Sequence, residues 1–354
     1  MKRLRNKRKK HTRGVNVMNY EKALMLDMGR KFYTKEWILN LVDYMAELKM
    51  NTLQLHFSEN EGFRIECETY PEIVSEQHLS KKEVREIVDF ATSKGISIIP
   101  DFDTPGHLKQ ILNFYPHLRL DKVENGETVQ DLKAIDITKK EARDFIKKIY
   151  AEYAQLFHES KFFHIGADEF IDFDKVDEYP VLLNYSKEQY GVDASGMEVY
   201  VDYTNDIAQY VESLGFTARV WNDGFYRKNR ESLVELHPSI QVCYWTKWNP
   251  NMAEPETFIE KGFKMINFCD NYFYYVLGEN AGYTYPTGEK IRNEWTIDRF
   301  PHGRHLSDED LTAVLGTSFA IWSDRPDAQT EDEVFLGIKD PLKAMMEKIL
   351  ESGK

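Results

Sequence analysis

Eight short apolar runs, each followed by an amphipathic stretch or a long polar loop, constrain this chain more than any other feature. They begin at Ala23, Asn51, Ile96, Phe162, Thr217, Ile240, Lys264 and Val314. Most are apolar almost throughout, as strands covered on both faces should be, whereas a strand with one wet face alternates. Helical spacing fills the gaps. Trp37, Leu41, Tyr44 and Leu48 recur at that spacing between Lys35 and Lys49, after a Thr34 cap. Ser80 with Glu83 three residues on reads as a capping box for a helix reaching Lys94, and Gly95 supplies its stop. Further helices are expected from Thr138 to about His158, from Met197 to about Leu214 and from Glu331 to about Glu351, while residues 171–195 read as loop. Strands alternating with helices define an α/β chain, and eight such units predict a (β/α)8 TIM barrel. The 354 residues suit one barrel with insertions, since such barrels typically need roughly 250 residues. A doubly wound open sheet is the alternative, but no glycine-rich phosphate loop follows any strand.

In a barrel of this kind the chemistry sits where the strands end. The fourth run, Lys161 to Phe170, ends in a small residue and then two adjacent carboxylates, Asp168 and Glu169. A charge pair behind a buried-type strand and ahead of Phe170 does not look like a solvated surface run. The other ends supply Arg30, His56 and Glu59, Asp103 and His107, Trp221 and Asp223, Trp245, a run from Asn267 to Tyr275, and Trp322 with Asp324. Carboxylates, an arginine, histidines and three tryptophans are thus expected on one rim. Tryptophan faces there would make apolar walls for a sugar ring. Metal is not expected: His56 and His164 have carboxylates near them, but no His pair at i, i+4 or comparable ligand set accompanies them.

These stretches resemble glycoside hydrolase family 20, the β-N-acetylhexosaminidases, from about Leu24 to the last helix. His164-Ile165-Gly166-Ala167-Asp168-Glu169 is similar to the family's His-x-Gly-Gly-Asp-Glu, with Ala167 in place of the second glycine. Pro100 to His107 is close to Pro-Glu-x-Asp-x-Pro-Gly-His, and Leu26-Asp27 with Arg30 looks like the first-strand motif. The stretch His56 to Arg64 is similar to a further family motif, with several replacements. The single-domain, dispersin-like branch is the nearest match. The resemblance implies substrate-assisted hydrolysis of terminal β-linked N-acetylglucosamine or N-acetylgalactosamine, in which the substrate's own 2-acetamido group attacks and configuration is retained. It implies Glu169 as general acid and then base, with Asp168 orienting the acetamido N–H and steadying an oxazolinium-like intermediate. Adjacent carboxylates disfavour joint ionisation, which is expected to raise one pKa towards neutrality. Tyr272, with Tyr274 and Tyr275 beside it, is similar to the tyrosine that holds the acetamide carbonyl; the family's Asp in that run is missing. Arg30 would hold sugar hydroxyls, Asp103 and His107 would support the site, and His107 would act on Glu169 through a relay with Glu59. Trp221, Trp245 and Trp322 would wall the sugar, and Asp324 stands where the family usually has Glu. Two alternatives stay open: a two-carboxylate glycosidase with an enzymic nucleophile, and a non-catalytic amino-sugar-binding barrel.

Composition bounds the rest. A net charge of -13 argues against nucleic acid and anionic membrane as partners, and no apolar run approaches the roughly 20 residues of a membrane span. An amino-sugar oligosaccharide or glycoconjugate is the expected partner, no cofactor is expected, and the oligomeric state is not readable. Cys67, Cys243 and Cys269 are widely spaced and suggest neither a disulfide framework nor zinc. Residues 1–18 are strongly basic without an apolar stretch behind them, so they are expected to form a disordered tail ahead of a catalytic barrel spanning residues 19–354. A cytoplasmic location is expected on that ground, with secretion the alternative.

Overall fold

The computed structural model describes residues 19–353; the expectation of a disordered tail over residues 1–18 lies outside them. Strands β1 (Glu21–Asp27), β2 (Thr52–Glu59), β3 (Ser97–Thr104), β4 (Phe162–Gly166), β5 (Thr217–Trp221), β6 (Gln241–Tyr244), β7 (Lys264–Asn267) and β8 (Val314–Trp322) pair in sequence order, and β8 returns to β1. Every pairing in this ring is parallel. The closing registers set Glu21 beside Gly316 and Ala23 beside Thr52. The expected barrel is therefore the observed one. Connecting segments include α1 (Lys35–Glu47), α2 (Lys81–Ser93), α3 (Lys140–Leu156), α4 (Pro180–Tyr190), α5 (Glu198–Ser213), α6 (Pro255–Glu260), α7 (Gly288–Glu294) and α8 (Glu331–Ser352).

Alternation along each strand sorts side chains between two cores. Leu24 and Leu26 of β1 join the large core shared with the helices. Met25 between them joins Trp221, Cys243, Ile266, Phe268 and Ala320 in a second core inside the ring. That apolar lumen belongs to β1 and β5–β8. The lumen on the β2–β4 side is polar. Asp101 there accepts from Gln54 Nε2 at 2.7 Å and lies 2.9 Å from His56 Nδ1 and 3.4 Å from His164 Nδ1. At the N-terminal end of the ring Arg219 of β5 holds Glu21 of β1 through two bonds of 2.7 and 2.8 Å. Strands one and five are diametrically opposed, so this pair is a strut across the barrel floor.

Three details differ from expectation. α4 occupies the stretch read as loop; within it only Leu182 and Ser186 are buried, so no apolar stripe announces it. α3 starts after Thr138, whose hydroxyl is taken by Asp136 Oδ1 at 2.6 Å instead of capping the helix. The excursion after β3 carries an antiparallel ribbon, Arg119–Glu124 against Glu127–Ile135. It turns at Asn125 and Gly126, with φ of 53° and 83°, the left-handed pair that Asn-Gly favours. Ile135 N–H donates to Pro105 O at 3.1 Å and Leu108 N–H to Lys133 O at 2.9 Å, so the ribbon's base grips the turn that carries His107.

Candidate active site

A cleft opens at the C-terminal ends of the strands, the face on which barrels of this kind carry their sites. It brings together Arg30, His107, Asp168, Glu169, Trp221, Trp245, Trp322 and Asp324 from six different strand ends or the loops behind them. The sequence singled out each of these eight. Glu59, Tyr274, Val276, Ala281 and Tyr283 complete the lining.

The local fold explains why the carboxylate pair faces the cleft. β4 ends at Gly166, and Gly166, Ala167 and Glu169 have φ of 76°, 73° and 44°. That left-handed sequence turns the chain sharply across the barrel mouth. A Cβ on Gly166 would stand 1.7 Å from Asp103 Oδ1. Glycine at that position is therefore demanded twice, by its backbone angle and by the approach of Asp103. Tyr200 donates its hydroxyl to Ala167 O and Asp223 Oδ2 accepts the Glu169 N–H at 3.0 Å, which fixes the turn from below.

Charge is arranged in a chain. Arg30 donates to Asp27 Oδ2 at 2.8 Å and to Glu59 Oε1 at 2.5 Å. Glu59, buried, also bonds His107 Nδ1. Burial alone would raise the Glu59 carboxyl, but the His107 imidazole and the Arg30 guanidinium outweigh it and hold its pKa at about 2. Burial likewise opposes a charge on His107, and the Glu59, Asp168 and Asp103 carboxyls overcome it, so the ring is held as a cation. Its Nε2 then sits 3.6 Å from Asp168 Oδ2 and 3.5 Å from Glu169 Oε2.

Asp103 does not line the cleft. It lies buried beneath Asp168, and burial together with the Asp168 charge raises its pKa well above the carboxylate range. Burial also raises Asp168, with His107 opposing. The two carboxyls therefore titrate as a pair, each pushed upward by burial. Glu169 goes the other way. Burial would raise it, but the hydrogen bond and charge of His107 lower it below its ordinary value. Adjacency was expected to lift the acid; instead Asp168 is raised chiefly by burial, and Glu169 is lowered by its bond to the His107 cation. Asp103, His107 and Asp168 are also the group among the described residues whose spacing suits a metal ion, with ligand atoms within 4.8 Å of one another. The positive charge that these carboxyls favour on His107 works against a cation there.

Aromatic rings close the remaining sides. Trp221 sits 4.6 Å from the His164 ring and 6.0 Å from Trp322. Trp245 stacks on Tyr274 at 5.7 Å with planes 4° apart, an offset stack that fixes both rings. Trp322 in turn takes the Arg30 guanidinium at 5.5 Å. Asp324 accepts from Asn280 Nδ2 at 3.1 Å.

Tyr272 is a correction. A helical turn, Asp270–Phe273, follows β7 and rotates Tyr272 away from the cleft; its hydroxyl donates to Glu294 at 3.2 Å, and Arg299 lies 5.0 Å over its ring. The chain then runs back alongside β8, with Tyr274 paired to Ala320, and this register delivers Tyr274 to the cleft. Two more residues complete the site: Tyr283, which was not singled out, and Asp223, which was named at a strand end but given no role. Tyr283 arrives on the loop behind this short strand and donates to Asp270 Oδ2 at 3.0 Å. Asp223 lies under the floor; its position after the strand-five tryptophan was the available signal.

Fold and cleft together define the class: a (β/α)8 barrel whose C-terminal rim carries paired carboxylates inside an aromatic-walled pocket. The family follows from comparison. Residues 21–336 match the model of glycosyl hydrolase family 20, catalytic domain, and the chain belongs to that family. Among named relatives, a lacto-N-biosidase of Bifidobacterium bifidum is 27% identical over 87% of this chain and 26% of its own length. A β-hexosaminidase subunit beta of Mus musculus is 27% identical over 87% of this chain and 55% of its own. The chain thus spans about a quarter to a half of these relatives. Among solved structures, Dispersin B superposes with a TM-score of 0.74 at 22% identity, covering 93% of this chain and 99% of that one. A β-N-acetylhexosaminidase of Bacteroides fragilis gives 0.71 at 23%, covering 92% and 66%.

Proposed function

We propose that the chain is a retaining β-N-acetylhexosaminidase that removes terminal β-linked N-acetylglucosamine or N-acetylgalactosamine by substrate-assisted catalysis. One observation carries the reading: Asp168 and Glu169 stand side by side in one aromatic-walled cleft, the first buried, the second half exposed at 50% of its side chain. Family membership and relatives named as hexosaminidases support it.

The chemistry then runs as follows. The acetamido carbonyl oxygen attacks the anomeric carbon while Glu169 gives its proton to the departing oxygen. Asp168 accepts from the acetamido N–H and offsets the positive charge growing on the ring. The Tyr274 hydroxyl holds the carbonyl oxygen in line, and Trp221, Trp245 and Trp322 enclose the methyl and the sugar face. Glu169 afterwards takes a proton from the water that opens the oxazolinium, so two inversions leave the configuration retained. In the free chain His107 keeps Glu169 ionised. A sugar seated over the half-exposed carboxyl strips its solvent and drives its pKa upward, which makes the acid form a property of the complex.

The test is Glu169→Gln with a β-linked N-acetylglucosamine disaccharide, whose departing sugar oxygen needs a proton. Release of N-acetylglucosamine should fall to background while the circular dichroism spectrum stays native. A thiazoline mimic of the cyclised intermediate should bind far more tightly than substrate. Unchanged turnover in the variant, or wild-type binding of the sugar without any turnover, would overturn the reading.

A further inference from the structure

Asp223 is a buried carboxylate beside the cleft that the chemistry above leaves unused. It sits two residues beyond the strand-five tryptophan and is 2% exposed. Its two oxygens do two different jobs. Oδ2 accepts the backbone N–H of Glu169 at 3.0 Å, and Oδ1 accepts the indole N–H of Trp245 at 3.1 Å. One side chain therefore ties the residue assigned as general acid to a ring that walls the sugar. The backbone of Asp223 is itself anchored. Arg227 Nη1 donates to the Asp223 carbonyl at 3.2 Å, and Arg227 Nη2 continues to Asp174 Oδ1 at 2.6 Å. Asn222, next in line, accepts the Trp245 N–H at 2.8 Å and donates to Thr246 O at 2.9 Å, locking the ends of β5 and β6 together. Glu169 has φ of 44°, a left-handed angle that a non-glycine residue keeps only when its surroundings hold it.

We propose that Asp223 is a positioning residue that sets where Glu169 delivers its proton, and that it does so from the same carboxylate that holds the Trp245 ring against the sugar. The inference rests on the hexosaminidase reading. Only a carboxylate accepts on both oxygens, so Asn at this position must turn its amide hydrogens towards one of the two N–H donors. With the Glu169 bond lost, the left-handed turn relaxes and the acid moves off the departing oxygen, and small displacements of a reacting group are costly.

The experiment compares two leaving groups in the Asp223→Asn protein. A p-nitrophenyl glycoside leaves almost without acid help, whereas a β-linked N-acetylglucosamine disaccharide needs its departing sugar oxygen protonated. The expected result is a fall in kcat of about 100-fold on the disaccharide and about tenfold or less on the aryl glycoside, within the range a misplaced general acid costs. Trp245→Phe removes the indole N–H together with part of the ring that walls the sugar, so it should raise KM for both substrates alike and leave their kcat ratio unchanged. Backbone hydrogen exchange of the peptide containing Glu169, followed by mass spectrometry in the Asn variant, should quicken. Should that variant fold poorly, Asp223→Ser fits the same space and carries the same comparison. A parallel fall on both substrates, or unaltered exchange at Glu169, would overturn the assignment of Asp223 while leaving the enzyme reading intact. A wild-type chain inert on both substrates would instead sink the enzyme reading, and exchange alone would then decide whether Asp223 holds the turn.

Discussion

At the scale of single residues, the swap between two tyrosines is the sharpest claim. Tyr274 lines the cleft and Tyr272 is turned towards Glu294 and Arg299. Tyr274→Phe should therefore lower kcat by about 10²-fold, the usual cost of deleting one donor to a developing charge, while Tyr272→Phe stays close to wild type; steady-state kinetics on an aryl glycoside decide it. Proton placement gives a second outcome. Because His107 keeps Glu169 ionised in the free chain, the basic limb of kcat/KM should lie at lower pH than that of kcat. The sign of the stability effect can be worked out for the neighbouring pair. Glu59 has a folded pKa near 2, below its ordinary 4.5, so its contribution is present above 4.5 and is lost as pH falls through about 2. His107 is raised above its ordinary 6.5, so its contribution is full below 6.5 and is lost as pH climbs through the folded value. The pair stabilises most between those ordinary values. Thermal melts of Glu59→Gln across pH 3 to 8 should show that hump flattened.

At the scale of elements, β4 and the floor strut make separate contributions. Gly166→Ala puts a methyl into Asp103 and a side chain on a left-handed backbone. It should lose most activity and about 2 kcal/mol or more of stability, from strain of both kinds, measured by denaturant melts. Arg219→Ala removes one end of a buried ion pair far from the chemistry. Leaving Glu21 unpaired should cost about 3 kcal/mol with kcat nearly unchanged, since β1 and β5 are still held by their own ladders. The elements also show what a sequence discloses. All eight strands were legible because a barrel strand is covered on both faces and so carries a mostly apolar run, and the capped helices were legible from Thr34, Ser80 and Gly95. α4 was not, because it covers the barrel with few buried side chains. The ribbon after β3 carried a readable signal in Asn125-Gly126.

At the scale of the whole molecule, strand ends foretold who would meet. Eight of the ten residues singled out line the cleft, because closing the ring carries every strand terminus to the same mouth. What periodicity does not carry is rotation after a strand stops. One helical turn after β7 exchanged Tyr272 for Tyr274, and Asp223 was visible as an acid but not as a partner of two N–H groups. The ring itself is complete between Glu21 and Trp322. A protein expressed from Asn19 onward should accordingly keep kcat/KM within about twofold of the full chain, which side-by-side assays would check.

The divided lumen decides where such a chain can be rewritten. A saturation library at Met25, Cys243, Ile266 and Ala320 samples oil against oil, and survivors of matching volume should be common. The same library at Gln54, His56, Asp101 and His164 strands a neighbour's donor or acceptor with every swap, and it should come back nearly barren. Evolution and the engineer would then share one map, with an editable half-barrel fused to one that reads as fixed text.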